Sequence, residues 1–286
     1  MLGYLLAILT CLFYGLQGTY GKVLTKTFPS AIITWATFTF SLPLILAFLI
    51  IKGIPSINLH NFLWSTLTSF FINLIAFNLF FKALSLSSLS LTMPFTAFTP
   101  LFLIPIAFLI LGELPDFTGN LGIFFIISGA YGLHTGSGNL LSPFRNIFIN
   151  KGTRYMLIVA IMWSLSATVE KVAVLSSSPE FYGTTIESLL SAAYFPYIFY
   201  FHRESTKNIT KNFGKLLVIG IITAAMVLFQ FTSYQYLLAG YVVAFKRAGV
   251  IVSVFLGFLL FNEKNILKNL IYTTIMVIGV ILIMLP

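Results

Sequence analysis

The chain has 286 residues, of which 58% are hydrophobic types and only 8% are charged, with a mean hydropathy of +0.99. A soluble domain carries roughly 25% charged residues, so this composition excludes a water-facing surface closed around one core and points to a surface matched to lipid. The net charge of +9 is read as membrane orientation and not as a nucleic-acid surface, because the basic residues fall mainly in links beside apolar stretches.

A membrane helix needs about 20 mostly apolar residues to cross a core of about 30 Å. Ten such stretches follow one another, at 2–24, 30–51, 61–83, 89–111, 117–134, 153–175, 181–201, 213–238, 240–261 and 266–285. Residues 2–14 are read as the start of the first membrane helix, because no basic segment precedes them and no small-residue cleavage pattern follows. Turn formers mark the links: Pro29-Ser30, Gly53 with Pro55, Pro115-Asp116, and Ser176 to Pro179. The joints near Ser85–Ser88 and Ala239-Gly240 are short enough to force hairpins. The polar stretch 135–152 divides the chain nearly in half, giving a first repeat over 1–140, a linker over 141–152 and a second repeat over 153–286.

The two halves are related in sequence. Laying Tyr14–Val23 on Trp163–Val172 brings Leu16, Thr19, Lys22 and Val23 onto Leu165, Thr168, Lys171 and Val172, at an offset of 149 residues. At an offset of 150, Phe108-Leu109 to Gly112-Glu113 lies on Phe258-Leu259 to Asn262-Glu263. Two matches in one order at nearly one offset indicate an internal repeat. Five helices per half is odd, so the second half enters the membrane in the opposite sense. The expected fold is therefore an all-α membrane protein of ten transmembrane helices, arranged as two inverted five-helix repeats. Inverted repeats recur in transporters, with the substrate held near mid-membrane between them.

Several patterns resemble the drug/metabolite transporter superfamily in its ten-helix EamA-type form. They are Gly15 with Lys22 and Ser164 with Lys171, then Phe81-Lys82-Ala83-Leu84-Ser85 through Pro94 and Pro100 to Leu111-Gly112-Glu113. In the second half they are Tyr234 to Lys246-Arg247 and Phe261-Asn262-Glu263-Lys264. The resemblance covers essentially the whole chain. It implies a central cavity, alternating access and secondary transport of metabolites such as amino acids, organic acids, nucleotide sugars or phosphorylated sugars. The pair Lys246-Arg247 is similar to a basic pair that binds phosphate in the plastid sugar-phosphate exchangers of that superfamily.

Charges inside a bilayer cost about 2.5–3.5 kcal/mol each on insertion scales, so they usually have a partner or a task. Lys246 lies about 10 Å into its helix at 1.5 Å per residue, and Arg247 points about 100° away around it, so at least one of them faces the interior. Glu187 is expected at a comparable depth, and Glu170 and Lys171 near the same side. A cluster of these groups has two readings: a Glu that neutralises the basic pair until substrate or a proton displaces it, or a structural ion pair that locks helices. Lys171 is expected to snorkel toward the near face, and Lys22 either snorkels or faces inward. Gln17, Asn73, Asn78, Gln230, Tyr234 and Gln235 are cavity candidates or helix-to-helix hydrogen bonders. The substrate-binding set is Lys246, Arg247, Glu187, Tyr234, Gln230, Asn78, Gln17 and Lys22. Pro94, Pro100 and Pro105 are expected to bend the fourth helix, and Gly15, Gly18 and Gly21 to pack the first helix closely against its neighbours.

His60, His134 and His202 are scattered, Cys11 is alone, and no catalytic set converges; the expectation is no enzyme, no cofactor and no metal. The partners expected are a small-molecule solute and membrane lipid, with no nucleic acid, at the cell membrane. The basic residues outside the spans cluster on the side opposite the N-terminus, which by the positive-inside rule places both termini outside the cytoplasm; ten-helix relatives are usually drawn with termini inside. The expected function is secondary transport of a small polar metabolite, anionic ones included, organic or phosphorylated. A broad exporter of amino acids or amphipathic compounds and a lipid-linked phosphate flippase are the alternatives.

Overall fold

A computed structural model describes residues 1–134, 149–261 and 266–285. Among these, ten helical spans follow the expected order. The first five are Leu2–Leu24, Ser30–Lys52, Leu59–Leu86, residues 89–111 and Phe117–His134. The second five are Lys151–Leu175, Pro179–Phe201, Phe213–Ser233, residues 239–261 and Ile266–Met284. Seven of the described helices are long and apolar enough to cross a membrane, and Phe117–Gly132 and Ile271–Met284 are shorter apolar helices. Pro179–Phe201 has 23 residues and is less apolar because it carries Glu180 and Glu187. A short polar helix, Arg203–Lys211, lies between the seventh and eighth spans, where the sequence suggested only a link. The eighth span ends at Ser233, five residues before its expected end, because residues 234–236 form a turn leading into the ninth.

Local chemistry sets the ends. Asn58, Asn150 and Ser178 each precede a helix and accept a backbone N–H of its first turn, at 3.3, 2.9 and 3.1 Å, the usual N-cap role of these residues. Gly112 ends the fourth span with φ +69°, a left-handed conformation that glycine adopts without a Cβ penalty.

The fourth span is broken rather than gently bent. Leu89–Thr92 is α-helical, Met93–Phe98 is a 3₁₀ helix, and Thr99–Leu111 is α-helical again. Pro94 and Pro100 sit at the starts of the last two pieces, where a missing N–H is tolerated. The ninth span breaks at the related place, between Ala239–Ala248 and Val250–Phe261. No proline is present there. Gly249 instead packs against the first span so closely that a Cβ would lie 2.2 Å from the Cys11 carbonyl.

Packing follows an approximate two-fold relation between the halves. The first span packs on the eighth as the sixth packs on the third, and the second meets the seventh as the fifth meets the tenth. Gly122 and Gly279 mark that relation at the fifth and tenth spans: a Cβ on either would lie 2.5 Å from the other's carbonyl oxygen. The first-span glycines pack as expected, Gly15 against Gly249 and Val252, Gly18 against Met93, and Gly21 against Phe81. Most of the buried residues form one continuous core between the halves.

Candidate functional site

The centre of the bundle holds a small cavity of about 40 Å³. A water needs about 10–15 Å³ by the same measure, so the space admits only a few. Its walls are aromatic, with Phe38, Phe77, Trp163, Tyr182 and Phe231, and its polar residues are Asn73, Glu170, Glu187, Gln230, Lys246 and Arg247. All six polar residues are buried. The break after Ala248 places Lys246 and Arg247 at the last turn of a half-helix, a position transporters use for their sites.

Gln230 is the hub. Lys246 Nζ donates to Gln230 Oε1 at 2.6 Å, and Gln230 Nε2 donates to the Tyr234 hydroxyl at 2.9 Å and reaches Glu170 Oε2 at 3.4 Å. Glu170 Oε1 accepts from Ser166 Oγ at 2.7 Å and from Asn73 Nδ2 at 3.1 Å. Asn73 in turn accepts from Trp163 Nε1 at 3.2 Å. Glu187 lies on the seventh span with Oε2 2.9 Å from Ser41 Oγ. Two acidic and two basic side chains thus share one cavity. Among the described residues, no ion pair within 4 Å joins any of them.

Arg247 is 2% exposed, with its guanidinium between the rings of Tyr14 and Trp163, at 4.9 and 4.7 Å from their centroids. Lys246 Nζ lies 5.5 Å from the Tyr14 ring. Such cation–π contacts hold a charge without consuming its hydrogen-bond donors. Arg247 Nε and Nη1 and the Tyr14 hydroxyl are buried and have no hydrogen-bond partner.

Of the sequence-predicted set, Lys246, Arg247, Glu187 and Gln230 line the cavity. Tyr234 does not; it is bonded to Gln230 and faces an open groove of about 400 Å³ beside Glu113, Lys171 and Tyr236. Gln17 donates to Thr223 at 2.9 Å and ties the first span to the eighth. Asn78 accepts from Ser30 at 2.8 Å and ties the second to the third. Lys22 donates to the Leu84 and Ser87 carbonyls at 2.5 and 2.6 Å, at the joint between the third and fourth spans.

Lys171 does not snorkel. Its side chain is 6% exposed and ion-paired with Glu113, and it donates to the Leu237 carbonyl at 2.6 Å. The second Glu113 oxygen accepts the Ala239 N–H at 2.7 Å. A carboxylate from the other half outcompetes a long reach to water. Lys171 therefore joins Glu113 across the two halves and does not belong to the Glu170 and Glu187 cluster. Beside it, Asp116 caps the fifth span. The Gly119 N–H and the Tyr241 hydroxyl, donating at 2.7 and 2.9 Å, hold its carboxyl below the ordinary range. The match proposed for Glu263 and Lys264 lies outside the described residues, as does most of the 141–152 linker.

Asn73, a cavity candidate from the sequence outside the predicted substrate-binding set, lines the cavity with Trp163, and Tyr14 lies against Arg247. Trp163 and Tyr14 are found by their closeness to Arg247 in space, which no sequence spacing carries. Among the described residues no group of three or more His, Cys, Asp and Glu side chains could hold a metal.

A multi-pass bundle of two related halves around a charged, aromatic-walled cavity is a membrane transporter's architecture. The chain belongs to the EamA-like transporter family, whose model matches residues 1–135 and 150–285, one match in each half. It is a multi-pass integral membrane protein of the drug/metabolite transporter type, with the cell membrane as its location. A solved structure described only as the crystal structure of a protein aligns over 98% of this chain and 95% of its own, with a TM-score of 0.74 at 14% identity, which speaks to the fold alone. No curated protein matches the sequence.

Proposed function

We propose that the protein is a secondary transporter of a small polar metabolite bearing an anionic group, organic or phosphorylated, moved by alternating access about the central cavity. The observation that carries this reading is Arg247. A buried donor without an acceptor costs about 1–3 kcal/mol, and Arg247 presents two such donors at the cavity. A carboxylate or phosphate accepting them gains charge-assisted bonds of the planar kind that arginine favours. The aromatic walls suit an apolar body attached to that group. In this reading the small cavity belongs to a closed state, and the Glu113–Lys171 pair, which joins the two halves, holds its N-terminal end shut.

A second reading rests on the balance of charge. Glu170 and Glu187 face Lys246 and Arg247 in one cavity, and such a set also fits a dipolar solute, an amino acid for example, with its carboxylate toward Arg247 and its ammonium toward Glu187.

A thermal-stability screen of detergent-purified protein tests both. A ligand that binds only the folded state raises the melting temperature by mass action. Stabilisation by carboxylated or phosphorylated solutes, lost in Arg247→Ala, supports the first reading. Stabilisation only by solutes that also carry an amine supports the second. Stabilisation by neutral or cationic solutes, or anion binding that survives Arg247→Ala, rules out Arg247 as the anchor.

A further inference from the structure

Glu187 is 3% exposed and lines the same cavity as the basic pair. Its Oε2 is 2.9 Å from Ser41 Oγ, and the same Ser41 Oγ is 2.7 Å from the Phe38 carbonyl. A serine hydroxyl has one proton. If Glu187 is ionised, that proton must be shared between two acceptors, and one of two short contacts is left poorly satisfied. If Glu187 carries a proton, its O–H donates to Ser41 Oγ and the Ser41 O–H donates to Phe38. Both contacts are then complete hydrogen bonds.

The surroundings agree with the second arrangement. Among the described residues no cationic nitrogen lies within 4 Å of Glu187. The charged or titratable groups facing it are Glu170 from the sixth span, Lys246 and Arg247 from the ninth, and Tyr182 on its own helix. The lining residues from the second, third and eighth spans, Phe38, Asn73, Phe77 and Gln230 among them, carry no charge. Lys246 is engaged by Gln230 and Arg247 is held between rings, so neither neutralises Glu187 directly. Buried ionisable groups inside a membrane are recurrent proton carriers.

We infer that Glu187 is the protein's proton-carrying carboxyl, protonated in this closed state and hydrogen-bonded to Ser41. The step balances with water alone. As the cavity opens, the Glu187 O–H bond breaks and its proton passes to a water molecule. The Ser41 proton then turns from the Phe38 carbonyl to the new carboxylate. With Glu187 neutral, the four cavity groups sum to one positive charge and suit a monoanion. With Glu187 ionised they sum to zero and favour its release. Solute and proton are thus taken up together and given up together. This coupling rests on the cavity being the transport site, but the protonation itself does not.

Infrared difference spectroscopy of the purified wild type against Glu187→Gln at pH 7, without added solute, tests it. The glutamine keeps the size and the hydrogen bond to Ser41. The expected result is the loss of one protonated-carboxyl C=O band in Glu187→Gln and a shift in the frequency of that band in Ser41→Ala. A spectrum whose protonated-carboxyl region is unchanged by Glu187→Gln overturns the inference, and an unmoved band in Ser41→Ala overturns the role of Ser41. Because no solute is present, a failed ligand screen leaves this result standing, and an absent band leaves the anion site at Arg247 standing.

Discussion

The two halves share a scaffold and divide the chemistry between them. Lys22 and Lys171, 149 residues apart, bind backbone carbonyls at related joints, Ser87 and Leu237, which are 150 apart. The fourth and ninth spans break at related places, and the fifth and tenth meet through Gly122 and Gly279. The cavity's charges follow no such symmetry. At the same offsets Glu170 and Glu187 correspond to Gly21 and Phe38, Gln230 to Phe80, and Lys246 and Arg247 to Thr96 and Ala97. The second half carries the cavity's ionisable groups and most of its apolar wall, and the first half adds Phe38, Asn73 and Phe77. The repeat therefore fixes where helices break and cross, while the cavity's charged residues come from one half. Buried charge is expensive, and the described cavity holds a single set of it.

The sharpest way to break the shared scaffold is at Lys171. Lys171→Ala leaves the half-buried Glu113 without its cation; removing one member of a fully buried pair costs about 3–5 kcal/mol, and a fall in melting temperature approaching that scale is expected. Lys52→Ala removes the Lys52–Glu180 pair, whose glutamate is 4% exposed but whose lysine is 57% exposed. A solvated lysine is screened by water, so a smaller fall than in Lys171→Ala is expected. Equal falls in both variants would mean that the Glu113–Lys171 pair holds the bundle no more firmly than the Lys52–Glu180 pair.

The division of chemistry is tested next. Arg247→Ala removes charge-assisted bonds of about 1.5–3 kcal/mol each and is expected to weaken solute binding by roughly tenfold to a hundredfold, read by titration calorimetry. Thr96→Ala, at the position related to Lys246, removes only a bond from Thr96 to the Met93 carbonyl and, because Thr96 does not line the cavity, should change binding less than about threefold, under about 0.7 kcal/mol. The smallest effect is at Asp116. Its carboxyl is held low in the folded protein, so its contribution is present above the ordinary aspartate range and is lost as pH falls through the lowered value. Wild type and Asp116→Ala should therefore converge in stability toward acid pH, as read by melting curves across pH.

Much of the fold is visible in the sequence, because lipid demands long apolar runs and each run announces itself. The repeat shows through Lys22 and Lys171 because that lysine does the same work in both halves. The break in the ninth span does not show. Pro94 and Pro100 advertise the break in the fourth, but Gly249 acts through its distance from Cys11, a contact between remote segments. At the site, intramembrane charge singles out Glu187, Lys246 and Arg247, since their cost depends on depth alone. Whether a neutral polar residue lines the cavity depends on which way its helix face turns. Gln230 turns inward and Gln17 binds Thr223. Lys171 was misplaced for a similar reason: its partner Glu113 lies in the other half of the chain.

The central claim is that Arg247 anchors an anionic solute in a cavity whose charges come from the second half. Counterflow of labelled organic anions into liposomes, with wild type beside Arg247→Ala and Thr96→Ala, tests it most directly. Saturable uptake by wild type and Thr96→Ala, with none by a folded Arg247→Ala, is the result expected. Uptake by Arg247→Ala at the wild-type rate would contradict it and return the basic pair to a structural role.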